Sequence, residues 1–205
     1  MASGAAPGRA GAWSERPVDR FLRAGRIAAR DGAALRWFHA ANGSARAAQA
    51  ARSDVHMVEG DVVLRGGDGE PILAHPPDTD SDITLQEWLE QMVSTNKGIK
   101  LDFKSGSQRM AAGAGCALPA RTLRLAAVGP SLELLGQVGQ GLDRPVWLNG
   151  DILPGPGGSC APLDARAFLR AVTSSCPDAT LSLGWTTGCQ RGQVGSSPRP
   201  CLGIA

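Results

Sequence analysis

Long apolar runs are missing from this chain. None approaches the roughly 18–20 residues that a membrane-crossing helix needs, so no transmembrane segment is expected. Histidine is scarce: His39, His56 and His75 are the only three in 205 residues. The cysteines Cys116, Cys160, Cys176, Cys189 and Cys201 are odd in number and show no C-x-x-C spacing. That argues against a zinc site and against a disulfide framework, although a Cys160–Cys176 bridge stays open. Lys and Arg outnumber Asp and Glu by only 21 to 19 and are scattered. The electrostatic footprint of a nucleic-acid binder is therefore absent. The N-terminus is rich in Ala, Gly and Arg but has no apolar core of the signal-peptide kind. Residues 1–34 read as a flexible leader. Within it, residues 18–29 place Val18, Phe21, Leu22 and Ile27 partly on one face, the pattern of a short basic helix.

What the sequence does hold is a rhythm. Hydrophobic residues make up 42% of the chain, enough for a core. Five short apolar runs read as strands: "LRWFHA" (35–40), "HMVEGDVVL" (56–64), "GIKLDFK" (98–104), "PVWLNGDI" (145–152) and "ATLSLGWTT" (179–187). Helical patterns lie between them. "SARAAQAARS" (44–53) has Ser44 as its expected N-cap. "TLQEWLEQMV" (84–93) opens with the capping box Thr84/Glu87 and carries Leu85, Trp88, Leu89 and Met92 as one stripe. "PSLELLGQV" (130–138) starts on Pro130, and "DARAFLRAV" (164–172) starts on the cap Asp164. "GGDGEP" is a turn, and "ILAH" (72–75) reads as a hairpin return or short extension. Alternating strands and helices predict an α/β fold with a parallel sheet.

In such sheets the chemistry collects at the C-terminal ends of strands. Glu59 and Asp61 are two apart, so both side chains share one face. Asp102 and Lys104 repeat the spacing, as do Asn149 and Asp151. Taken singly, each has an ordinary explanation: a solvent-facing strand edge for the acids, a loop position for His75, packing for Trp147 and Trp185. Asn42 fits either a turn or a residue orienting His39, and His56, at a strand start, reads as structural. Taken together, three acids on neighbouring strands repel one another unless a cation lies between them. Glu59, Asp61 and Asp102 form an all-oxygen set suited to Mg²⁺ or Ca²⁺. His39 and His75 are placed to flank it as the acid–base or nucleophilic pair, with Lys104 on an anionic oxygen. Asn42, Asn149 and Trp185 complete the candidates on the phosphate and substrate side. This combination describes metal-assisted phosphodiester cleavage.

The strings "WFHAANGSARAAQAA", "MVEGDVVLRGGDGEPILAHPPDTDSDITLQEWLE", "GIKLDFKS", "VGPSLELL", "PVWLNGDILPGPGG" and "PDATLSLGWTTG" resemble the menorin family of animal proteins. The resemblance covers about residues 35–105 and 128–188. It implies a (β/α) barrel of the phospholipase-C-like phosphodiesterase type, a group that includes glycerophosphodiester phosphodiesterases and venom sphingomyelinase D. It also implies His39 and His75 as acid–base pair, Glu59, Asp61 and Asp102 as ligands to Mg²⁺ or Ca²⁺, and Lys104 on phosphate. Asn42 is similar to the Asn of a His-x-x-Asn variant of that site. The implied ligand is a phosphodiester or phospholipid. An extracellular location and cell-surface protein partners are implied as well, with a cytoplasmic location as the alternative where no signal peptide is seen.

Two stretches do not fit the resemblance. Removing 106–127 joins "LDFKS" to "VGPSLELL", and 189–205 is rich in Gly, Pro and Ser. Both read as aberrant, of the retained-intron kind, so that 35–188 is a partial barrel of about five βα units out of eight. Five units cannot close an eight-stranded barrel, so the isolated chain is expected to be unstable. Against the enzyme stand two other readings: a non-enzymatic signalling or binding protein in neuronal or photoreceptor maintenance, and a truncated inactive isoform.

Overall fold

The computed structural model describes residues 17–67, 69–104, 125–139, 144–155 and 162–186. The elements run α1 (Pro17–Arg23), β1 (Trp37–Phe38), α2 (Ser44–Arg52), β2 (Met57–Leu64), β3 (Pro71–Leu73), α3 (Leu85–Val93), β4 (Gly98–Phe103), α4 (Val128–Val138), β5 (Val146–Pro154), α5 (Ala165–Ser175) and β6 (Thr180–Thr186). The strands form one sheet in the order β1-β2-β4-β5-β6, with β3 off the path on β2. All pairs along the path are parallel, and β3 is the antiparallel return expected of "ILAH". The result is an α/β fold with a mostly parallel sheet.

Spatial order follows chain order without a reversal. Right-handed crossovers then put the connecting helices α2 to α5 on the same side of the sheet. The core shows this: Ala47 and Ala50 of α2, Trp88 and Leu89 of α3, Leu132 and Leu135 of α4, and Phe168 and Val172 of α5 share one buried cluster with Val58, Val62, Ile99, Leu101, Phe103, Val146 and Leu148. Those strand residues alternate with the polar ones, so the acids are left on the face opposite the connecting helices. Gly60, between Glu59 and Asp61, faces the helices. A Cβ there would lie 2.6 Å from Leu73 Cδ1 and 3.4 Å from Trp88 Cζ2.

Local signals account for the helix starts. In α3 the Glu87 N–H donates to Thr84 Oγ1 and the Thr84 N–H donates to the Glu87 carboxylate, the complete capping box. The Ala167 N–H donates to Asp164 at the start of α5. At α2 the expected cap is displaced. Gly43, at φ 88°, holds the N-cap position, and Ser44 is the first helical residue. The Ser44 N–H donates to Asp82 Oδ1 at 2.8 Å and its hydroxyl to Asp82 Oδ2, so a residue 38 positions away caps the helix. These bonds hold the Asp82 carboxyl below its ordinary value. Its contribution is therefore present above the unfolded Asp pKa and lost as pH falls through the lowered one. Asp82→Ala is expected to lower the melting temperature by a few degrees at pH 7 and to make no difference in strong acid, as thermal melts across pH will show.

Residues 17–34, assigned to the leader by composition, pack against the sheet. Phe21 and Ile27 are buried with Met57, and Val18, Leu22, Trp37 and Trp147 lie against them. With α1 they cover the N-terminal part of the face opposite the connecting helices, where Met57 of β2 and Trp147 of β5 lie. His56 is structural here. Its Nδ1 accepts the Arg36 N–H at 2.9 Å, it stacks edge-on to Phe21, and burial pushes its pKa down.

Candidate metal centre

The polar face is assembled across four strands. Asp61 of β2 is in register with Asp102 of β4, and Asp102 with Asn149 of β5. Asn149 pairs in turn with Ser182 of β6. Side chains at partnered positions point the same way, so these residues form one row. Glu59 sits one step toward the N-terminal end, in register with Lys100. Ligand oxygens of Glu59, Asp61 and Asp102 all lie within 4.8 Å of one another. The three residues are 7%, 3% and 7% exposed, so water does little to separate their charges.

The loop after β1 holds Glu59 and Asp61 from one side. It runs beside the edge of β2, where the Ala41 N–H donates to the Glu59 carbonyl at 2.9 Å. Ala40, at φ 51°, turns its N–H onto Glu59 Oε2 at 2.7 Å. Arg46 of α2 fixes this bend by donating to the carbonyls of His39 and Ala40. Asn42 then takes both of its amide atoms to Asp61: Oδ1 accepts the Asp61 N–H at 2.9 Å and Nδ2 donates to Oδ2 at 2.8 Å. Asn42 thus orients a carboxylate. Trp88 Nε1–H anchors the loop by donating to the Ala41 carbonyl at 3.1 Å.

From the other side, Asn149 Nδ2 donates to Asp102 Oδ1 at 2.6 Å, and Ser182 Oγ donates to Asn149 Oδ1 at 2.6 Å. Lys104 Nζ lies between two acids, 3.0 Å from Asp61 Oδ1 and 2.7 Å from Asp102 Oδ2. Burial alone would lower the Lys104 pKa, but Asp102 and Asp61 outweigh it and hold the ammonium charged. Burial raises Asp61, against the pull of Lys104 and with the push of Glu59. Glu59 is lowered: burial acts upward, but the hydrogen bonds from His39 and Ala40 overcome it. Asp151, next along β5, is raised by burial and then by Asp102.

The remaining candidates divide. His39 is drawn in, its Nδ1 3.7 Å from Glu59 Oε2 with two thirds of its side chain (67%) exposed. His75 follows Ala74, whose N–H donates to the Asp61 carbonyl. Its own ring is exposed and pairs with the Pro76 carbonyl at 2.7 Å, forming no hydrogen bond or ion pair with the acids. Trp185 alternates with Gly184 and Thr186 and is 50% exposed on the opposite face from Ser182. Three contributors, Ser182, Lys100 and Arg46, are not among the candidates that the sequence marks. Ser182 and Lys100 carried a usable signal, their even spacing from strand residues of known facing. Arg46, on a helix, carried none.

A model of the Menorin N-terminal domain matches residues 31–110 and 123–197. The chain belongs to the menorin family. The match breaks between 110 and 123, inside the stretch 106–127 that reads as foreign, and runs to 197, into the stretch 189–205. Both stretches lie almost wholly outside the described residues. The human protein FAM151B is 49% identical over 187 residues, which is 90% of this chain and 61% of that protein. The menorin-family chain therefore spans about three fifths of the relative's length. No solved structure matches it. No helix among the described residues is long and apolar enough to cross a membrane.

Proposed function

We propose that this menorin-family chain carries the divalent-metal site of a phosphodiesterase-like (β/α) barrel whose substrate is a phosphodiester or phospholipid. The observation that carries the reading is the buried triad Glu59, Asp61 and Asp102, with ligand oxygens within 4.8 Å. The donor set fits a hard divalent ion. It is all oxygen, three carboxylates face one ammonium at Lys104, and Glu59 Oε1 has no hydrogen bond among the described residues. The unreversed strand order, with helices on one side, supports a barrel. Family membership is the ground for an extracellular setting and cell-surface partners.

When bound, Mg²⁺ or Ca²⁺ supplies Lewis-acid polarisation of a phosphoryl oxygen. The chain's own residues do the rest. Glu59, Asp61 and Asp102 hold the ion. Asn42 and Asn149 fix the ligand carboxylates from opposite sides, and Lys104 pairs with Asp61 and Asp102. His39, braced at Nδ1 by Glu59 and open to solvent, moves a proton at Nε2. His75, exposed and paired at Nδ1 with the Pro76 carbonyl, takes the second acid–base role. His39→Asn is expected to lower turnover of bis(p-nitrophenyl) phosphate by roughly 10²–10⁴-fold with cation affinity unchanged. Equal rates for the two proteins would remove His39 from the chemistry.

One observation favours a second reading, a binding protein on the same scaffold. Lys104 already pairs with two of the three acids, so the cluster can persist as an ion-pair network. Cation binding without turnover supports a structural ion, and no cation binding supports the network alone.

A further inference from the structure

The sequence assigns Lys104 to a phosphate oxygen, but its ammonium is committed to Asp61 and Asp102. The same face carries a second cation. Lys100 is in register with Glu59 on one side and Trp147 on the other, so it stands between them on the polar face. Lys100 is half-buried. Among the described residues its Nζ makes no hydrogen bond and no ion pair. Its charge nonetheless favours the ionised forms of both Glu59 and Asp151, so its influence spans the face from β2 to β5. Trp147 supplies an independent observation. Its Nε1–H is buried and has no acceptor among the described residues. Buried donors of this kind are nearly always paired, and one left open calls for a partner. Around them the wall is apolar: Trp37 stands edge-on to Trp147, with ring centroids 5.3 Å apart, and Met57 is fully buried. An anion held there would meet donors in a site of low dielectric.

We infer that Lys100 Nζ and Trp147 Nε1–H form an anion-binding pair that takes a non-bridging oxygen of a phosphodiester, beside the carboxylate triad and distinct from Lys104. The pair of donors rests on strand register and the open indole N–H alone. The diester identity of its ligand rests on the function proposed above.

Binding of dimethyl phosphate and of inorganic phosphate to the full chain, followed by ³¹P NMR in Ca²⁺ and again in EDTA, tests it. Lys100→Gln is expected to weaken binding of dimethyl phosphate by about 10- to 100-fold. Trp147→Phe should weaken it less, and Arg170→Gln on the exposed side of α5 should leave it unchanged. Ca²⁺ affinity of Lys100→Gln should stay within about twofold of wild type. Wild-type affinity in both Lys100→Gln and Trp147→Phe overturns the pair, as does failure of the wild type to bind either anion. If Trp147→Phe does not fold, Lys100→Gln alone decides. Binding of inorganic phosphate without dimethyl phosphate keeps the pair and overturns the diester. Anion binding in a chain that takes no Ca²⁺ sinks the metal reading and leaves the pair standing.

Discussion

Saturating Ca²⁺ or Mg²⁺ is expected to raise the melting temperature of the chain, and Asp61→Asn to abolish the rise. A ligand at one hundred times its Kd adds about 2.7 kcal/mol to the folded state. Losing an outer partner of a metal ligand costs roughly 10–100-fold in affinity, and losing a ligand oxygen such as that of Asp61 or Asp102 should cost more. In EDTA the order reverses. Burial, with repulsion from Glu59 and Asp102, raises the Asp61 pKa despite Lys104. The ionised form is thus disfavoured on folding, and its neutral isostere should melt higher than wild type at pH 7. The sign gives a pH signature. A carboxyl raised above its unfolded value contributes stability below that value and loses it as pH rises through the raised one. Metal-free wild type should therefore lose this contribution as pH rises through the raised Asp61 pKa, and Asp61→Asn should not. Melts with and without cation decide the matter. The same ranking of the two proteins in both conditions would show that Lys104 is the only counter-ion of the cluster.

Trp88→Ala is expected to cost about 3–5 kcal/mol, a large part of the 5–15 kcal/mol typical of a whole domain. Trp88 is fully buried in α3 at the centre of the main core. It also donates to the Ala41 carbonyl, next to Asn42. Its removal leaves a cavity under β2 and an unpaired carbonyl in the loop that orients Asp61. Trp88→Phe keeps most of the volume and separates the two effects, with an expected cost of about 1–3 kcal/mol for the unpaired group. Ca²⁺ affinity should fall modestly in Trp88→Phe, because the strain is delivered to the Asn42–Asp61 contact. Urea unfolding measures the first effect and calorimetric titration the second. Equal stability of the Ala and Phe variants would contradict the packing.

The menorin-family site was legible where its signals are local. Glu59 and Asp61 share a face because strands have period two, whatever the strands pair with. The capping box at Thr84/Glu87 and the stripe Leu85, Trp88, Leu89, Met92 announce α3 for the same kind of reason, since they span a turn or two of chain. The cap of α2 was misplaced because its acceptor, Asp82, is 38 residues away and nothing near Ser44 points to it. Residues 17–34 were assigned to the leader because composition does not reveal that Phe21 and Ile27 find Met57.

By itself, then, the sequence determined the alternation of strands and helices, the facing of each polar pair and the family to which the chain belongs. Only the tertiary structure decided which pairs meet. Asp61 stands beside Asp102 because β2 and β4 are neighbours in one particular register, and a slip of β2 by one residue would have sent Glu59 and Asp61 into the helix layer. It also decided which cation is spent. Lys104, one residue past the end of β4, has the same parity as Lys100, and the two look equivalent along the chain. In space one reaches two carboxylates, and the other is in register with Trp147, whose indole N–H has no acceptor among the described residues. Parity is a property of the backbone, whereas pairing of charges depends on distances across strands that the chain order leaves open.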